Sequence, residues 1–173
     1  IKLDSSWAIE WAMNYDGPDP AAETSCASIV QASDGGYFFT GTTSASQAAG
    51  RADVWVVRLS ATGSVIWEQA YDGGMGDDSG RQVLESCEAI FVAAQTNSSV
   101  DGSKEYWLLK LDEFGRVLWE KSYGGSEGDY LNGAWLALNG DLLLVGSSYT
   151  WAPGNPSGWI VKVGSDGEIS PSC

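Results

Sequence analysis

Short runs of continuous or alternating apolar residues recur along the chain, each bounded by Gly, Asp, Asn or Ser. Rich in Val, Ile, Trp, Tyr and Phe, they predict β-strands, and no stretch carries the 3.6-residue period of an amphipathic helix. In the first complete unit the pattern predicts strand A near 27–32, strand B near 37–42, strand C near 53–59 and strand D near 65–71. Ala61-Thr62-Gly63 and Glu113-Phe114-Gly115 read as tight turns between strands C and D, where glycine supplies a positive φ without steric penalty.

The same unit is then written again. Val54-Trp55-Val56-Val57-Arg58-Leu59 recurs as Tyr106-Trp107-Leu108-Leu109-Lys110-Leu111 and as Gly158-Trp159-Ile160-Val161-Lys162-Val163, each copy 52 residues after the last. Val65-Ile66-Trp67-Glu68 returns as Val117-Leu118-Trp119-Glu120 at the same shift. A four-stranded sheet of roughly 50 residues cannot cover both its faces alone, so such units stack around an axis as blades, with recurring aromatics filling the gaps. The expectation is an all-β chain: a β-propeller module over 1–173, made of about three four-stranded blades at 25–71, 79–123 and 131–173.

Repeat phase at the two ends adds a second expectation. The stretch from Leu3 to Gly17 matches Leu59 to Gly73 at an offset of 56, so the chain opens on a D strand at 8–15. Near the other end, 167–173 lacks the expected Trp and carries Pro171 where a D strand should pair. An unfilled edge invites aggregation. The strand at 8–15 is therefore expected to complete the last blade, either of its own chain or of a neighbouring copy. The arrangements open are a three-bladed ring, a dimeric six-bladed ring, a head-to-tail fibre or a piece of a longer propeller.

Asp53-Val54-Trp55, Arg58-Leu59, Gly63, Gly73-Gly74-Met75-Gly76-Asp77-Asp78 and Gly41-Thr42-Thr43 together resemble the SBBP-type β-propeller repeats. The resemblance spans essentially the whole chain, with departures at Gly17-Pro18-Asp19-Pro20 and at Glu88-Ala89. It implies a secreted or surface repeat protein of bacteria or archaea that acts as a scaffold or partner-binding surface.

Composition narrows the chemistry. The chain has no His, which removes the commonest general base, the usual catalytic triad and most transition-metal ligand sets. Nine Lys and Arg stand against 23 Asp and Glu, a net charge of −14, which repels phosphate backbones and anionic lipids, so no nucleic-acid partner is expected. No apolar run approaches the ~18–20 residues of a membrane-spanning helix, and no membrane insertion is expected. The chain begins at Ile1 without Met, which is read as a removed signal peptide or as a start inside a longer product. Three Cys in a low-Lys chain rich in Trp, Asn, Ser, Thr and Gly permit one disulfide and a leftover thiol, and from this an extracellular or cell-surface location is expected.

Candidate sites are few. Gly73-Gly74-Met75-Gly76-Asp77-Asp78 has the form of a calcium-binding nonapeptide opening, making Asp77 and Asp78 calcium candidates. Only one copy is present, and the equivalent Gly124-Gly125-Ser126-Glu127-Gly128-Asp129 keeps one acid, taken as Asp129 for Asp77. The alternative reading is a loop-capping carboxylate. Glycosidic acid–base catalysis would need two carboxyls ~5–10 Å apart across a cleft, and no second partner is identifiable. Trp7, Tyr130, Trp135, Tyr149 and Trp151 fall outside the repeated core positions and are candidates for glycan or protein contact, against the alternative of inter-blade packing. Trp11, Trp55, Trp67, Trp107, Trp119 and Trp159 are expected in the core. Cys26 and Cys173 are a disulfide candidate, unpaired thiols being the alternative, and Asn97-Ser98-Ser99 is a glycosylation sequon in form. The sequence points to a non-enzymatic extracellular scaffold that assembles with copies of itself for structural or adhesive roles. A glycan-binding lectin is the alternative, and a hydrolase ranks below both.

Overall fold

The computed structural model describes residues 1–44, 51–74, 76–97, 102–151 and 154–169, and every regular element among them is a β-strand. The thirteen strands form four antiparallel sheets, none of them closed into a barrel. Strands β1 (Lys2–Leu3) and β2 (Ile9–Trp11) make an N-terminal hairpin. The first sheet is β3 (Thr24–Gln31), β4 (Tyr37–Thr43), β5 (Asp53–Leu59) and β6 (Val65–Tyr71). The second is β7 (Asp78–Glu85), β8 (Ile90–Thr96), β9 (Glu105–Leu111) and β10 (Val117–Tyr123), and the third is β11 (Asp129–Leu136), β12 (Leu142–Ser148) and β13 (Ser157–Val163). Each sheet keeps its strands in chain order, as expected for simple meanders joined by short turns. The A strand begins at Thr24 rather than near 27, while strands C and D fall where the apolar pattern places them.

The 52-residue repeat extends to the irregularities. Bulges lie between Cys26 and Ser28, Gly80 and Gln82, and Leu131 and Gly133 on the three A strands. The C–D hairpins repeat one register: Arg58 opposite Trp67, Lys110 opposite Trp119 and, at the N-terminus, Lys2 opposite Trp11. The N-terminal segment is thus the end of a C strand followed by a D segment, a refinement of the strand expected over 8–15. Its ladder covers Ile9–Trp11 and is made with β1. In this structure it does not complete the third sheet of its own chain, which has three strands and, beyond β13, the single bridge Val163–Ile169.

Alternation on central strands sends side chains to two cores. Val54 and Val56 of β5 pack with Val83, Val92 and Leu109 between the first and second sheets, while Trp55, Val57 and Leu59 face Trp11 and Tyr15. On β8, Ile90, Val92 and Ala94 face the first sheet, and Phe91 and Ala93 face Leu131, Leu142 and Leu144 of the third. Both faces of the first two sheets are covered, so their B and C strands are buried along most of their length. The outer face of the third sheet is different: Ile160 is 68% exposed and Val145 38%.

Candidate functional site

The most unusual chemistry lies where the first sheet meets the second. Asp53 opens β5, Asp72 follows β6 and Asp78 opens β7, so two sheets and a connecting loop each bring one carboxylate to a single point. One oxygen from each lies within 4.8 Å of the others. Asp53 and Asp78 are fully buried and Asp72 is exposed. Neither carboxylate oxygen of Asp53 has a hydrogen-bond partner. Burial, the charges of Asp72 and Asp78 and, more weakly, that of Asp77 push the Asp53 carboxyl up to about 6, against the opposing pull of Arg51.

The neighbouring acids are tied to backbone. Asp78 Oδ2 accepts from Gly73 N–H at 2.7 Å, and Asp72 Oδ1 accepts from Gly74 N–H at 2.7 Å. Asp77 Oδ1 accepts from Ala52 N–H at 3.1 Å, while Asp78 N–H donates to the Ala52 carbonyl at 2.6 Å. Asp77 therefore clamps the entrance of β5, the capping role weighed against calcium. The acid equivalent to Asp129 is Asp78 and not Asp77, because Asp78 opposite Thr96 and Asp129 opposite Ser148 hold the same ladder position.

At the second-to-third junction the matching positions hold Glu105, Gly124 and Asp129. Asp129 Oδ2 accepts from Gly125 N–H at 2.9 Å and Thr150 Oγ1 at 3.1 Å. Gln95, buried on β8, spans this junction with Nε2 donating to the carbonyls of Glu105 and Asp129 and Oε1 accepting from Leu131 N–H, all at 2.7 Å.

A second repeated feature joins each D segment to the C–D turn one sheet further on. The hydroxyls of Tyr15, Tyr71 and Tyr123 donate to the carbonyls of Gly63, Gly115 and Gly167 at 2.8, 2.6 and 2.7 Å. Trp11, Trp67 and Trp119 cover the same glycines so closely that an added Cβ would lie 3.2, 3.0 and 2.8 Å from the indole rings. Each glycine has a positive φ, of 81°, 80° and 76°. At the corresponding turn of the N-terminal hairpin stands Trp7, 82% exposed with φ of 67°, a strained backbone for a bulky residue. Trp55 and Trp107 are buried, whereas Trp11, Trp67, Trp119 and Trp159 are half-buried along these seams.

The remaining candidates do not converge. Tyr130 and Tyr149 meet edge to face at 5.9 Å, with Lys104 Nζ 5.3 Å from the Tyr130 ring. Trp135 and Trp151 are each 68% exposed, and among the described residues neither they nor Trp7 stacks on another ring. A cleft of about 690 Å³ between the turn ends of the first two sheets is lined by Arg58, Trp67, Cys87 and several acids. Cys26 and Cys87 are exposed free thiols. Cys173 lies outside the described residues, and the Cys26–Cys173 latch with it. Asn97 donates its backbone N–H to the Asp77 carbonyl and keeps its side-chain oxygen buried, while Ser98 and Ser99 of the sequon lie outside the described residues.

Sequence reasoning singled out Asp78 but missed Asp53 and Asp72 as its companions, and it missed Gln95. Aligning the three units by strand register would have shown Asp53 over Glu105 and Ser157, and Asp72 over Gly124. The sequence matches no protein-family model and no curated protein.

Proposed function

We propose that the chain is a non-enzymatic β-propeller scaffold of the SBBP-type repeat class, acting outside the cell in a structural or adhesive role through association with copies of itself. The observation that carries this reading is the seam repeated three times, Tyr15 to Gly63, Tyr71 to Gly115 and Tyr123 to Gly167, which stacks consecutive elements in one constant manner. The A strands support it: β7 lies against β3, β4 and β5, and β11 against β7, β8 and β9, as strands lining a common axis would.

Self-association follows from matching faces. Val56 and Leu108 sit buried at the two internal junctions, and their counterpart on the third sheet, Ile160, is exposed. The occupant that fits is the first sheet of a second copy with its N-terminal hairpin, since that hairpin already seats a D segment on Gly63. Residues 12–15 extend past the β1 ladder. For β13 of another copy to pair there in full, Lys162 and Val163 would take the places of Lys2 and Leu3, so β1 would have to yield. Light scattering over a concentration series tests this. A mass of twice 18.4 kDa or more supports association, and 18.4 kDa at every concentration rejects it.

A glycan-binding surface is the second reading, favoured by the exposed Trp151 beside the Tyr130–Tyr149 pair. Silence on a glycan array rejects it.

A further inference from the structure

We propose that Asp53, Asp72 and Asp78 form a calcium site that ties the first sheet to the second. Three carboxylates gathered at a loop are common without an ion, so the argument rests on Asp53. Its side chain is fully buried, neither oxygen has a hydrogen-bond partner, and it points at the two other acids within 4.8 Å. A buried carboxylate without a donor lacks the stabilisation that folded chains normally give such groups. A cation at the centre of the cluster supplies it.

Charge and ligand type select the ion. Asp53, Asp72, Asp77 and Asp78 bring four acidic groups to this region, and the field of Arg51 opposes theirs at Asp53. The local surplus of negative charge calls for more than one positive unit. All the candidate ligands are hard oxygens, and neither His nor Cys is at the cluster, which selects Ca²⁺ or Mg²⁺ over zinc or copper. Ca²⁺ accepts irregular cages completed by water, whereas Mg²⁺ demands near-ideal octahedral geometry and sheds water reluctantly. A site assembled from two strand starts and one exposed loop therefore suits Ca²⁺.

The repeat supplies an internal contrast. At the next junction Gly124 stands where Asp72 stands here, and Asp129, with Oδ2 bonded by Gly125 and Thr150 and Oδ1 buried without a partner, has no third acid beside it at the Gly124 position. One site per chain is therefore expected, placed where the third acid is present. Its role is structural: the ion bridges β5, the loop after β6 and β7, adding to the Ala52 clamp and to the bond from Gly73 N–H to Asp78.

The test is isothermal titration of the full chain, stripped with EGTA at neutral pH, with CaCl₂ and separately with MgCl₂, alongside thermal melts in Ca²⁺ and in EGTA. One Ca²⁺ per chain is expected, with Kd on the order of 10⁻⁴–10⁻³ M, the range of extracellular modules, and weaker Mg²⁺ binding. At free Ca²⁺ a hundredfold above Kd the melting temperature should rise by about 5–10 °C. Asp72→Asn removes an exposed ligand and should weaken binding at least about tenfold (~1.4 kcal/mol). Glu127→Gln removes one exposed charge at the other junction and should leave Ca²⁺ affinity unchanged. Circular dichroism of both variants checks the fold. The absence of saturable heat together with identical melts of the unmodified chain in Ca²⁺ and EGTA overturns the proposal. So does equal weakening by the two variants, the mark of diffuse attraction to an acidic chain.

Discussion

Between the first and second sheets the strands approach closely and one buried acid, Asp53, is left without a donor; between the second and third a single amide, Gln95, fills the gap. At the first junction Gly80 lets β7 come against β4, since a Cβ there would overlap Thr40 Oγ1 and lie 2.8 Å from the Gly41 carbonyl. At the second, Leu131 takes the ladder position of Gly80, and Gln95 reaches across with three hydrogen bonds. The tyrosine seam and the glycine turns are common to both. What differs is the degree of polar satisfaction: Gln95 bridges the second junction, where Asp129 has Oδ2 bonded and Oδ1 buried without a partner, whereas at the first neither oxygen of Asp53 has one. One scaffold can therefore be written three times while its junctions diverge in chemistry.

The largest expected effect breaks the second junction. Gln95→Ala strands Leu131 N–H and the carbonyls of Glu105 and Asp129 in a buried setting, where each unmade bond costs ~1–3 kcal/mol and the losses are not additive. Urea unfolding should show about 3–4 kcal/mol lost. A loss below about 1 kcal/mol would mean that water replaces the amide and that the two junctions are less different than they look.

Gly80→Ala attacks the first junction at the matching ladder position. The new methyl meets backbone at Gly41 as well as the Thr40 side chain, so relaxation has to move a strand, and overpacking of this kind costs ~2–3 kcal/mol. Placing a new methyl on Gly133, which has nothing within 4 Å of an added Cβ, should cost well under half as much in the same denaturation assay. Equal losses would show that the close approach at Gly80 carries no special load.

Much of this frame is legible from the amino acids because period-2 alternation and a 52-residue shift are properties of the chain itself. Strands β5 and β6 lie where the apolar runs put them, and Trp55 and Trp107 are buried as their place in the repeat implies. The junction chemistry was less legible. Asp53 is separated from Asp72 and Asp78 by two strands and a turn, and it is the pairing of β5 with β6 and the stacking of the second sheet on the first that make the three neighbours. Gln95 sits in an apolar run where one polar residue reads as solvent-facing, yet it is buried by a neighbouring sheet that local periodicity does not register. The N-terminal hairpin shows the same limit: phase places a D segment at 8–15, but its ladder with β1 depends on two residues too short to score as a strand.

Acidity separates the junctions next. With chelator present, the folded chain holds the Asp53 proton more tightly than the unfolded chain does, since burial and the charges of Asp72, Asp78 and Asp77 raise its pKa to about 6 while Arg51 only partly opposes them. Stability from this group is present at pH 4 and is lost as pH rises through 6, by about 1–2 kcal/mol once the exposure of Asp72 to water is allowed for. Melting temperature in EGTA should fall between pH 4 and 6.5. Asp53→Asn should flatten that slope whichever way it moves the absolute stability, and an unchanged slope would assign the effect elsewhere.

The smallest effects test what the junctions share. Tyr71 and Tyr123 each donate a buried hydroxyl to a turn-glycine carbonyl, at 2.6 and 2.7 Å, and burial raises the pKa of both phenols well above the usual value, keeping them donors far into alkaline solution. Tyr71→Phe and Tyr123→Phe keep the ring against the core and remove the hydroxyl, which at Tyr71 also lies 3.2 Å from Gln69 Oε1, so each should lose ~1 kcal/mol, equal within ~0.5 kcal/mol. Tyr15 makes the same bond at 2.8 Å from a half-buried position, where water can replace the hydroxyl, and Tyr15→Phe should lose about half as much. The three variants measured together by urea unfolding separate frame from filling. Equal losses at 71 and 123 place the junctions' difference in Gln95, Gly80 and the acids alone. A loss at Tyr71 twice that at Tyr123 would mean that the seam itself differs between the junctions, the second contact of Tyr71 to Gln69 adding to its bond with Gly115.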